Sequence, residues 1–172
     1  MILTGQQIIK EVRSGGIVIS PFSEEQVNPN SYNYRLGAEY VELDEDYIYD
    51  IKEGCTKFES KKIPEEGLLL KPGKLYLCTT KEIIGSDKFV TSLIGKSSMG
   101  RLGLFLQLSA DLGHQRQIHK WTLEIRACNP IKIYANMIIG QVTFWKVKGE
   151  VYEREGYYTL FNTPQISRGV RE

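Results

Sequence analysis

Residues 95–126, which read GKSSMGRLGLFLQLSADLGHQRQIHKWTLEIR, hold the densest set of plausible catalytic groups in the chain. The stretch opens with a polar turn, residues 96–101, that leads into an apolar run. If Ser97 and Ser98 cap one short helical turn, their hydroxyls and the free backbone N–H groups form a small donor nest that suits an anion such as phosphate. Ser97 and Arg101 then share one face. The front of the stretch therefore predicts an anion site at the start of a strand.

The back of the same stretch, residues 121–127, alternates apolar and polar side chains with period two. This pattern predicts a strand in which Leu123 and Ile125 face the core and Glu124 faces the other way. Strands disfavour Glu, and a buried charge needs a partner. From the residues alone two interpretations stay open: Glu124 lies on a solvated outer face, or it is a carboxylate placed for chemistry.

Length and composition favour one domain over residues 1–172, large enough to bury a core without disulfides. The chain is 41% hydrophobic and 25% charged with a formal net charge of +1. These values argue against disorder, a basic nucleic-acid surface or an acidic tail. The sequence shows no cleavable signal and no apolar run near the roughly 18 residues that a membrane span requires. We expect a cytoplasmic protein with no nucleic-acid or membrane partner.

The remainder of the chain reads as one short helix followed by strands and turns. Thr4 and Gln7 form a candidate capping box for a helix of about ten residues that ends at the glycines 15–16. Residues 44–66 read as a weakly paired surface excursion or hairpin. Two further hairpins are predicted, one within residues 68–80 and one within 131–147. Many short strands with one helix predict a closed or sandwiched all-β barrel.

The cysteine and histidine residues do not form a recognisable metal site in the sequence. Cys55, Cys78 and Cys128 are far apart and odd in number, which argues against a disulfide framework or a zinc knuckle. The H-x-E and P-C-x-x-C pattern of the zinc-dependent deaminases is absent. His114 and His119 match metal-ligand spacings poorly and are interpreted as loop residues. No zinc or other protein-bound metal is expected.

Several motifs of this chain resemble those of the deoxycytidine triphosphate (dCTP) deaminase family, which shares a superfamily with the trimeric dUTPases. In that family a segment such as Arg-Ser-Ser-x-x-Arg-Leu-Gly-Leu is followed by an Ala-containing turn and then by Thr-Leu-Glu. The matching positions are Lys96, Ser97, Ser98, Arg101, Leu102, Gly103, Leu104, Ala110, Thr122, Leu123 and Glu124. Further similarity lies in residues 26–37 (QVNPNSYNYRLG), 71–73 (KPG) and 139–141 (IGQ).

The resemblance implies a distorted, jelly-roll-like β-barrel of the dUTPase type, assembled as a homotrimer with active sites between subunits. The implied activity is zinc-independent hydrolysis of dCTP to dUTP and ammonia, with Mg²⁺ bound to the triphosphate. Two alternatives stay open. One is a bifunctional relative that continues to dUMP and pyrophosphate, and the other is a nucleotide-binding module without catalysis.

The resemblance also implies roles for individual residues. Glu124 would shuttle the proton, the Ser97 hydroxyl and the Ala110 carbonyl would hold the attacking water, and Arg101 would orient Glu124. The remaining candidates would bind the nucleotide: Lys96, Ser98, Gln141, Asp111, Tyr152 and Tyr158. Gln141 has an equally plausible interpretation as a strand residue bonded to its neighbour. Residues 150–172 would form a tail that closes over the active site.

The chain departs from the family pattern at four places. Lys96 stands where the family carries Arg, and Asn33 stands where it usually carries Asp. The segment Ile/Val-Asp-Pro-Gly-Phe is replaced by residues 112–119 (LGHQRQIH), which leaves Asp111 or His114 to contact the deoxyribose. The tail lacks the family's Lys and Gln. Since related dUTPases place an Asp near the attacking water, the missing Asp argues against the bifunctional alternative.

Overall fold

The computed structural model describes residues 1–55, 58–107, 109–150 and 160–169. The chain begins with helix α1, Gly5–Arg13. Thr4 caps it as predicted, because its hydroxyl oxygen accepts the N–H of Gln7 at 3.3 Å. The second half of the predicted capping box is wrong, since the Gln7 side chain instead donates to Glu11 Oε1 at 2.9 Å. No helix within the described residues is long and apolar enough to cross a membrane.

Strands make up most of the remaining regular structure. Their bounds are β1 Val18–Ser20, β2 Tyr32–Glu42, β3 Lys61–Lys62, β4 Leu68–Leu70, β5 Leu75–Thr80, β6 Ile83–Gly85, β7 Phe89–Gly95, β8 Leu104–Leu106, β9 Leu112–Gly113, β10 Thr122–Ala127, β11 Ile131–Ile133 and β12 Ile138–Lys146. One helical turn, α2 Ser97–Gly100, follows β7, and a 3₁₀ turn covers Glu24–Gln26. The all-β prediction with a short N-terminal helix is confirmed.

The main sheet has the order β8-β10-β5-β2-β12-β7-β9, with β3 paired to β2. Two small pairs, β1 with β6 and β4 with β11, complete the described strands. The sheet curls until β8 contacts β7 on the far side of the order. A β-carbon added to Gly95 would lie 3.5 Å from Leu106 Cδ1, which shows how closely the two strands approach. The result is a half-barrel that encloses one core.

Alternating side chains of the central strands fill this core. Tyr32, Tyr34 and Leu36 of β2 are fully buried, as are Leu123 and Ile125 of β10. Burying each of these side chains stabilises the fold by about 1.5–3 kcal/mol relative to leaving it in water. The period-two pattern of residues 121–127 therefore predicted the correct inward face.

A buried thiol lies on the strand next to β10. Cys78 of β5 is opposite Leu123 in the ladder and has no exposed surface. Burial raises the pKa of the Cys78 thiol to about 12. Its side chain is therefore a neutral member of the core.

Both hairpins predicted from the sequence are wrong in their pairing. Strand β4 pairs with β11, whereas β5 pairs with β2 and β10. Strand β12 pairs with β2 and β7. The turn at residues 71–74 does form, with Gly73 at φ 89° and Lys74 N–H donating to the Lys71 carbonyl. A tight turn reverses the direction of the chain. The pairing of the strands is decided by how well their apolar side chains pack against those of neighbouring strands.

The excursion predicted at residues 44–66 lies at the surface. Its described part is mostly exposed, and its regular structure is the two-residue strand β3 on the edge of β2. Ile48 and Ile51 are exposed by 90% and 74%. Ile63 reaches the main core, and most of the other described residues of this segment stay outside the half-barrel.

Candidate active site

Glu124 lies in the middle of β10, between β5 and β8. Leu77 is directly opposite in the β5 ladder, so the two side chains share a face. Leu77 belongs to a small apolar cluster with Val41 and Ile166 on that face. Glu124 is half-buried, and this desolvation raises the pKa of its carboxyl. Its carboxylate has no hydrogen bond or ion pair with another described side chain.

Gln107 connects Glu124 to Ala110. Its Oε1 accepts the backbone N–H of Glu124 at 2.8 Å, and its Nε2 donates to the carbonyl of Ala110 at 3.1 Å. Two of the four predicted catalytic residues are therefore held near each other by a residue that sequence reasoning missed. A polar Gln inside the apolar run after Arg101 was the available signal.

The serine turn, residues 96–101, differs from its predicted capping pattern. Lys96 is the N-cap residue and makes no side-chain capping bond, whereas Ser97 and Ser98 are already helical. Their predicted role as caps is wrong. Both serine side chains are exposed, and Arg101 N–H donates to the Ser97 carbonyl at 3.1 Å. Ser97 and Arg101 therefore share one face as predicted. The two serine hydroxyls and the Arg101 guanidinium are exposed to solvent.

Gln141 lies alongside the strand that leads into the serine turn. On β12 it is paired with Ile94 on one side and Asn33 on the other. Its Nε2 donates to Asn33 Oδ1 at 3.1 Å, and Asn28 Nδ2 donates to the same oxygen at 2.9 Å. Gln141 does bond its strand neighbour, and one amide hydrogen and its carbonyl oxygen remain for a ligand. Asn33 works here as a neutral acceptor that orients Gln141.

Of Asp111 and His114, the two residues predicted to contact a sugar, Asp111 is the more firmly held. Its Oδ2 accepts the Ser92 hydroxyl at 2.6 Å, and its carbonyl accepts Leu93 N–H at 2.8 Å. It therefore lies against β7, one residue from the Ala110 carbonyl. His114 is exposed and makes no hydrogen bond to another described side chain.

His119 lies between β9 and β10, outside the named strands as predicted, but its side chain is buried. It is 5% exposed, forms a β-bridge with Ile84 and packs its ring 4.2 Å from that of Trp121. Burial lowers its pKa, which keeps the imidazole neutral near pH 7. Across the described ranges, no group of three or more His, Cys, Asp or Glu side chains is placed to hold a metal ion.

The candidate residues of a single chain form two separate groups. The first contains Ala110 and Glu124, and the second contains the serine turn with Gln141 close by. In the sheet order, β5, β2 and β12 lie between β10 and β7, and the curl of the sheet brings β8, the neighbour of β10, against β7. No hydrogen bond or ion pair among the described residues joins the serine turn to Glu124 or Ala110.

The C-terminal segment 160–169 runs beside Glu124. Gln165 N–H donates to the hydroxyl of Thr122 at 3.2 Å, and Thr122 shares the face of Glu124 two residues away. Ile166 adds to the apolar cluster around Leu77. Tyr152 and Tyr158 lie outside the described residues, and closure of residues 150–172 over the site stays a prediction.

Comparison with known proteins identifies the family of this chain. The family model described as dCTP deaminase-like matches residues 2–147. The chain belongs to the dCTP deaminase family. Within that family it is 46% identical over 152 residues to a Clostridium beijerinckii protein named dCTP deaminase, dUMP-forming, covering 87% of this chain and 85% of the relative.

Two further relatives and one solved structure of the dCTP deaminase family extend the comparison. A Leptospira biflexa protein, also named dUMP-forming, is 42% identical over 172 residues, covering 99% of this chain and 94% of the relative. A Rhodopirellula baltica protein named dCTP deaminase is 41% identical over 150 residues, or 87% and 74% of the two chains. The dCTP deaminase structure from Agrobacterium tumefaciens has a TM-score of 0.66 at 20% identity. This match covers 83% of the present chain and 46% of the other, and it supports the fold.

Proposed function

We propose that this protein converts dCTP to dUMP, releasing ammonia and pyrophosphate. Relatives named dCTP deaminase, dUMP-forming, are 42–46% identical to it, and one alignment spans 99% of the chain. These names favour the bifunctional alternative over the expected product dUTP. The relative named simply dCTP deaminase, at 41% identity, keeps dUTP as the second candidate product.

The observation that carries the deaminase assignment is the state of Glu124. Its carboxyl is half-buried beside an apolar cluster, lacks a partner among the described side chains, and has a raised pKa. A carboxyl whose pKa lies closer to neutrality can take a proton and return it in the same turnover. An ordinary solvated Glu in an outer sheet face would have no such shift.

The first reaction replaces the 4-amino group of cytosine by oxygen. Glu124 takes a proton from a water held by the Ala110 carbonyl and the Ser97 hydroxyl, and the hydroxide adds to C4. Glu124 then delivers that proton to the amino nitrogen, the C4–N bond breaks, and ammonia leaves. Proton transfer of this kind contributes about 10²- to 10⁴-fold to the rate, so oriented donors must supply much of the rest.

The second reaction hydrolyses dUTP in the same site. Water attacks the α-phosphorus, and the bond between that phosphorus and the oxygen that bridges it to the β-phosphorus breaks. Pyrophosphate leaves, and dUMP is the other product. Lys96, Ser98 and Gln141 provide a cation and hydrogen-bond donors for the phosphates. Asp111, fixed by Ser92, is assigned the contact with the deoxyribose.

Mg²⁺ would enter with the triphosphate. Mg²⁺ is usually bound by one or two carboxylates together with substrate phosphates and several waters. Because no cluster of three or more acidic, His or Cys side chains occurs in the described ranges, the phosphates would supply most of its ligands. Bound there, the ion would neutralise phosphate charge.

We further propose a homotrimer in which each active site combines the serine turn of one subunit with Glu124 and Ala110 of its neighbour. What supports this arrangement is that no hydrogen bond or ion pair among the described residues joins the two groups within one chain. The unpaired thiols of Cys78 and Cys128 suit a reducing compartment, and we therefore place the reaction in the cytoplasm.

Product analysis tests the proposed function. The protein is incubated with dCTP and Mg²⁺, ammonia is assayed, and the nucleotides are separated by ion-exchange chromatography. Equal amounts of ammonia and dUMP are expected, without accumulation of dUTP. Stable dUTP would favour the second candidate, and binding of dCTP without ammonia would leave a nucleotide-binding module.

The variant Glu124→Gln identifies the proton shuttle. Gln cannot accept a proton from water, so ammonia release should fall at least about 10²-fold while dCTP binding persists. Glu25→Gln is a matched control, because Glu25 is exposed and lies in the 3₁₀ turn away from β10. Undiminished ammonia release by Glu124→Gln would contradict the assignment.

A further inference from the structure

Gln107 makes two hydrogen bonds to Glu124 of β10 and one to Ala110. Its backbone N–H donates to the Glu124 carbonyl at 3.2 Å, and its Oε1 accepts the Glu124 N–H at 2.8 Å. Its Nε2 donates to the Ala110 carbonyl at 3.1 Å. One carboxamide therefore links the strand that carries the proposed proton shuttle to the carbonyl assigned to the attacking water.

The backbone at Gln107 explains why a side chain is needed there. The β8–β10 ladder ends at the pair Leu106 and Ile125, and Gln107 would come next, opposite Glu124. In a continuing antiparallel ladder, that residue would exchange both N–H···O bonds with Glu124 through its main chain. Gln107 instead takes φ 52°, a left-handed conformation that is uncommon for residues with a β-carbon. Its side-chain oxygen replaces the departing carbonyl, so Glu124 remains in a regular strand.

After the chain leaves the ladder at Gln107, the Gln107 side chain holds it again at Ala110 through the bond from Nε2 to the Ala110 carbonyl. A carbonyl oxygen has two lone pairs, so the Ala110 carbonyl can accept from Gln107 Nε2 and still accept from a water. The position of the Ala110 carbonyl relative to Glu124 is then set by the length of the Gln107 side chain. Misplacement of reacting groups by about 1 Å can lower a rate by roughly 10²-fold.

We propose that Gln107 is a positioning residue that fixes the Ala110 carbonyl at a set distance from Glu124, so that one water can contact both. This inference rests on the proposed deaminase function. This role requires a side chain that accepts one hydrogen bond and donates another at the same time. Met at this position fills a similar volume and does neither. Glu keeps the acceptor, loses the donor when ionised, and adds a negative charge near Glu124.

Steady-state kinetics with dCTP distinguish positioning from mere structural support. For Gln107→Met we expect kcat to fall about 10- to 100-fold while KM changes less than about threefold, because substrate binding is retained and water placement is lost. For Gln107→Glu we expect a similar loss, and the acid limb of the pH–rate profile should move to higher pH because a like charge disfavours ionisation of Glu124.

Gln7→Met is the matched control, since Gln7 also donates from a partly buried carboxamide but bonds Glu11 on helix α1. It should keep the wild-type kcat. A kcat of Gln107→Met within about twofold of wild type would overturn the proposal, as would equal losses in Gln107→Met and Gln7→Met.

Amide hydrogen exchange gives a readout that does not depend on activity. In Gln107→Met the Glu124 N–H loses its acceptor, so its exchange should accelerate more than about tenfold, while amides bonded between β5 and β10 keep their rates. Unchanged exchange at Glu124 would overturn the proposed linkage. Wild-type protein that releases no ammonia would instead refute the proposed function, and with it the catalytic meaning of Gln107.

Discussion

The hydroxyl of Tyr34 donates a hydrogen bond to the main-chain oxygen of Ile94 at 3.1 Å, across the intervening strand β12. This crossing is possible because Gly140 has no side chain: a β-carbon there would overlap the Tyr34 hydroxyl and approach the Ile94 carbonyl to 2.6 Å. The core strand β2 is thereby bonded to the strand that leads into the serine turn.

Substituting Gly140 by Ala should therefore destabilise the fold. We expect a loss of about 1–3 kcal/mol, the usual cost of inserting an extra carbon into a packed site. Thermal unfolding would show it as a Tm lower by several degrees. Gly100→Ala serves as the control, because a β-carbon there meets no atom within 4 Å. Equal Tm values for the two variants would contradict the tight crossing.

Mixing two inactive variants should restore activity if each active site is shared between subunits. Ser97→Ala removes the hydroxyl from one half of the site, and Glu124→Gln removes the proton shuttle from the other. Random assembly of equal amounts gives one intact pairing in every four interfaces, so about a quarter of wild-type activity is expected after co-refolding.

Each variant refolded alone is the control for that mixture. Both should remain at their own low rates, and size-exclusion chromatography with light scattering should give the mass of three chains. A mixture no more active than its components would argue against a site built from Ser97 of one chain and Glu124 of another.

The pH dependence of deamination should report the raised pKa of Glu124. Burial beside Leu77 disfavours the ionised carboxylate, and the ionised form is the one that accepts the proton of water. The acid limb of kcat/KM should therefore lie above about pH 4.3, the ordinary value for Glu. Circular dichroism across the same range verifies that the fold persists. A limb at or below that value in folded protein would show that Glu124 is not the group that titrates.

Glu82 should make the fold less stable as pH rises through the acidic range. Its side chain is fully buried; Oε2 accepts Arg35 N–H at 2.8 Å, and Oε1 has no partner among the described groups. Burial raises the pKa of the Glu82 carboxyl, so the folded state holds a proton that the unfolded state has already lost. Stability therefore falls between the unfolded and the folded pKa.

The variant Glu82→Gln removes this proton and keeps the acceptor for Arg35. Its free energy of unfolding, measured by urea denaturation from pH 4 to 8, should depend less on pH than that of wild type. Glu25→Gln, at an exposed site, should retain the wild-type slope. Parallel curves for Glu82→Gln and wild type would show that this carboxyl does not contribute.

Local patterns predicted local structure well. The period-two alternation around Glu124 gave strand β10 and its inward face, and the Thr4 cap gave the start of α1, because each depends on neighbouring residues. The partners of β4, β5 and β12 could not be read in this way. Apolar runs of similar length can pair in several combinations, and the curl of the whole sheet selects among them.

The site was predictable to the extent that its residues carry distinctive chemistry. Glu124, Ser97 and Arg101 attract notice as polar groups in or beside apolar runs. Gln107 is also a polar group inside an apolar run, but its role could not be predicted, because that role depends on a left-handed backbone and on a carbonyl three residues away. The loop position of His119 was predicted, but its burial was not, because the packing of its ring against Trp121 is not visible in a short polar stretch.

The buried thiol of Cys78 can be used to measure local opening beside the strand that carries the proposed catalytic acid, Glu124. Cys78 has no exposed surface and is paired with Leu123 of β10 and Tyr40 of β2, so a dye can reach its sulfur when β5 comes away from these neighbours. Cys128, at the surface, and the half-buried Cys55 would be modified earlier. The slowest phase of such labelling would measure the rate at which the half-barrel opens at β5, beside the strand that carries Glu124, without any introduced probe.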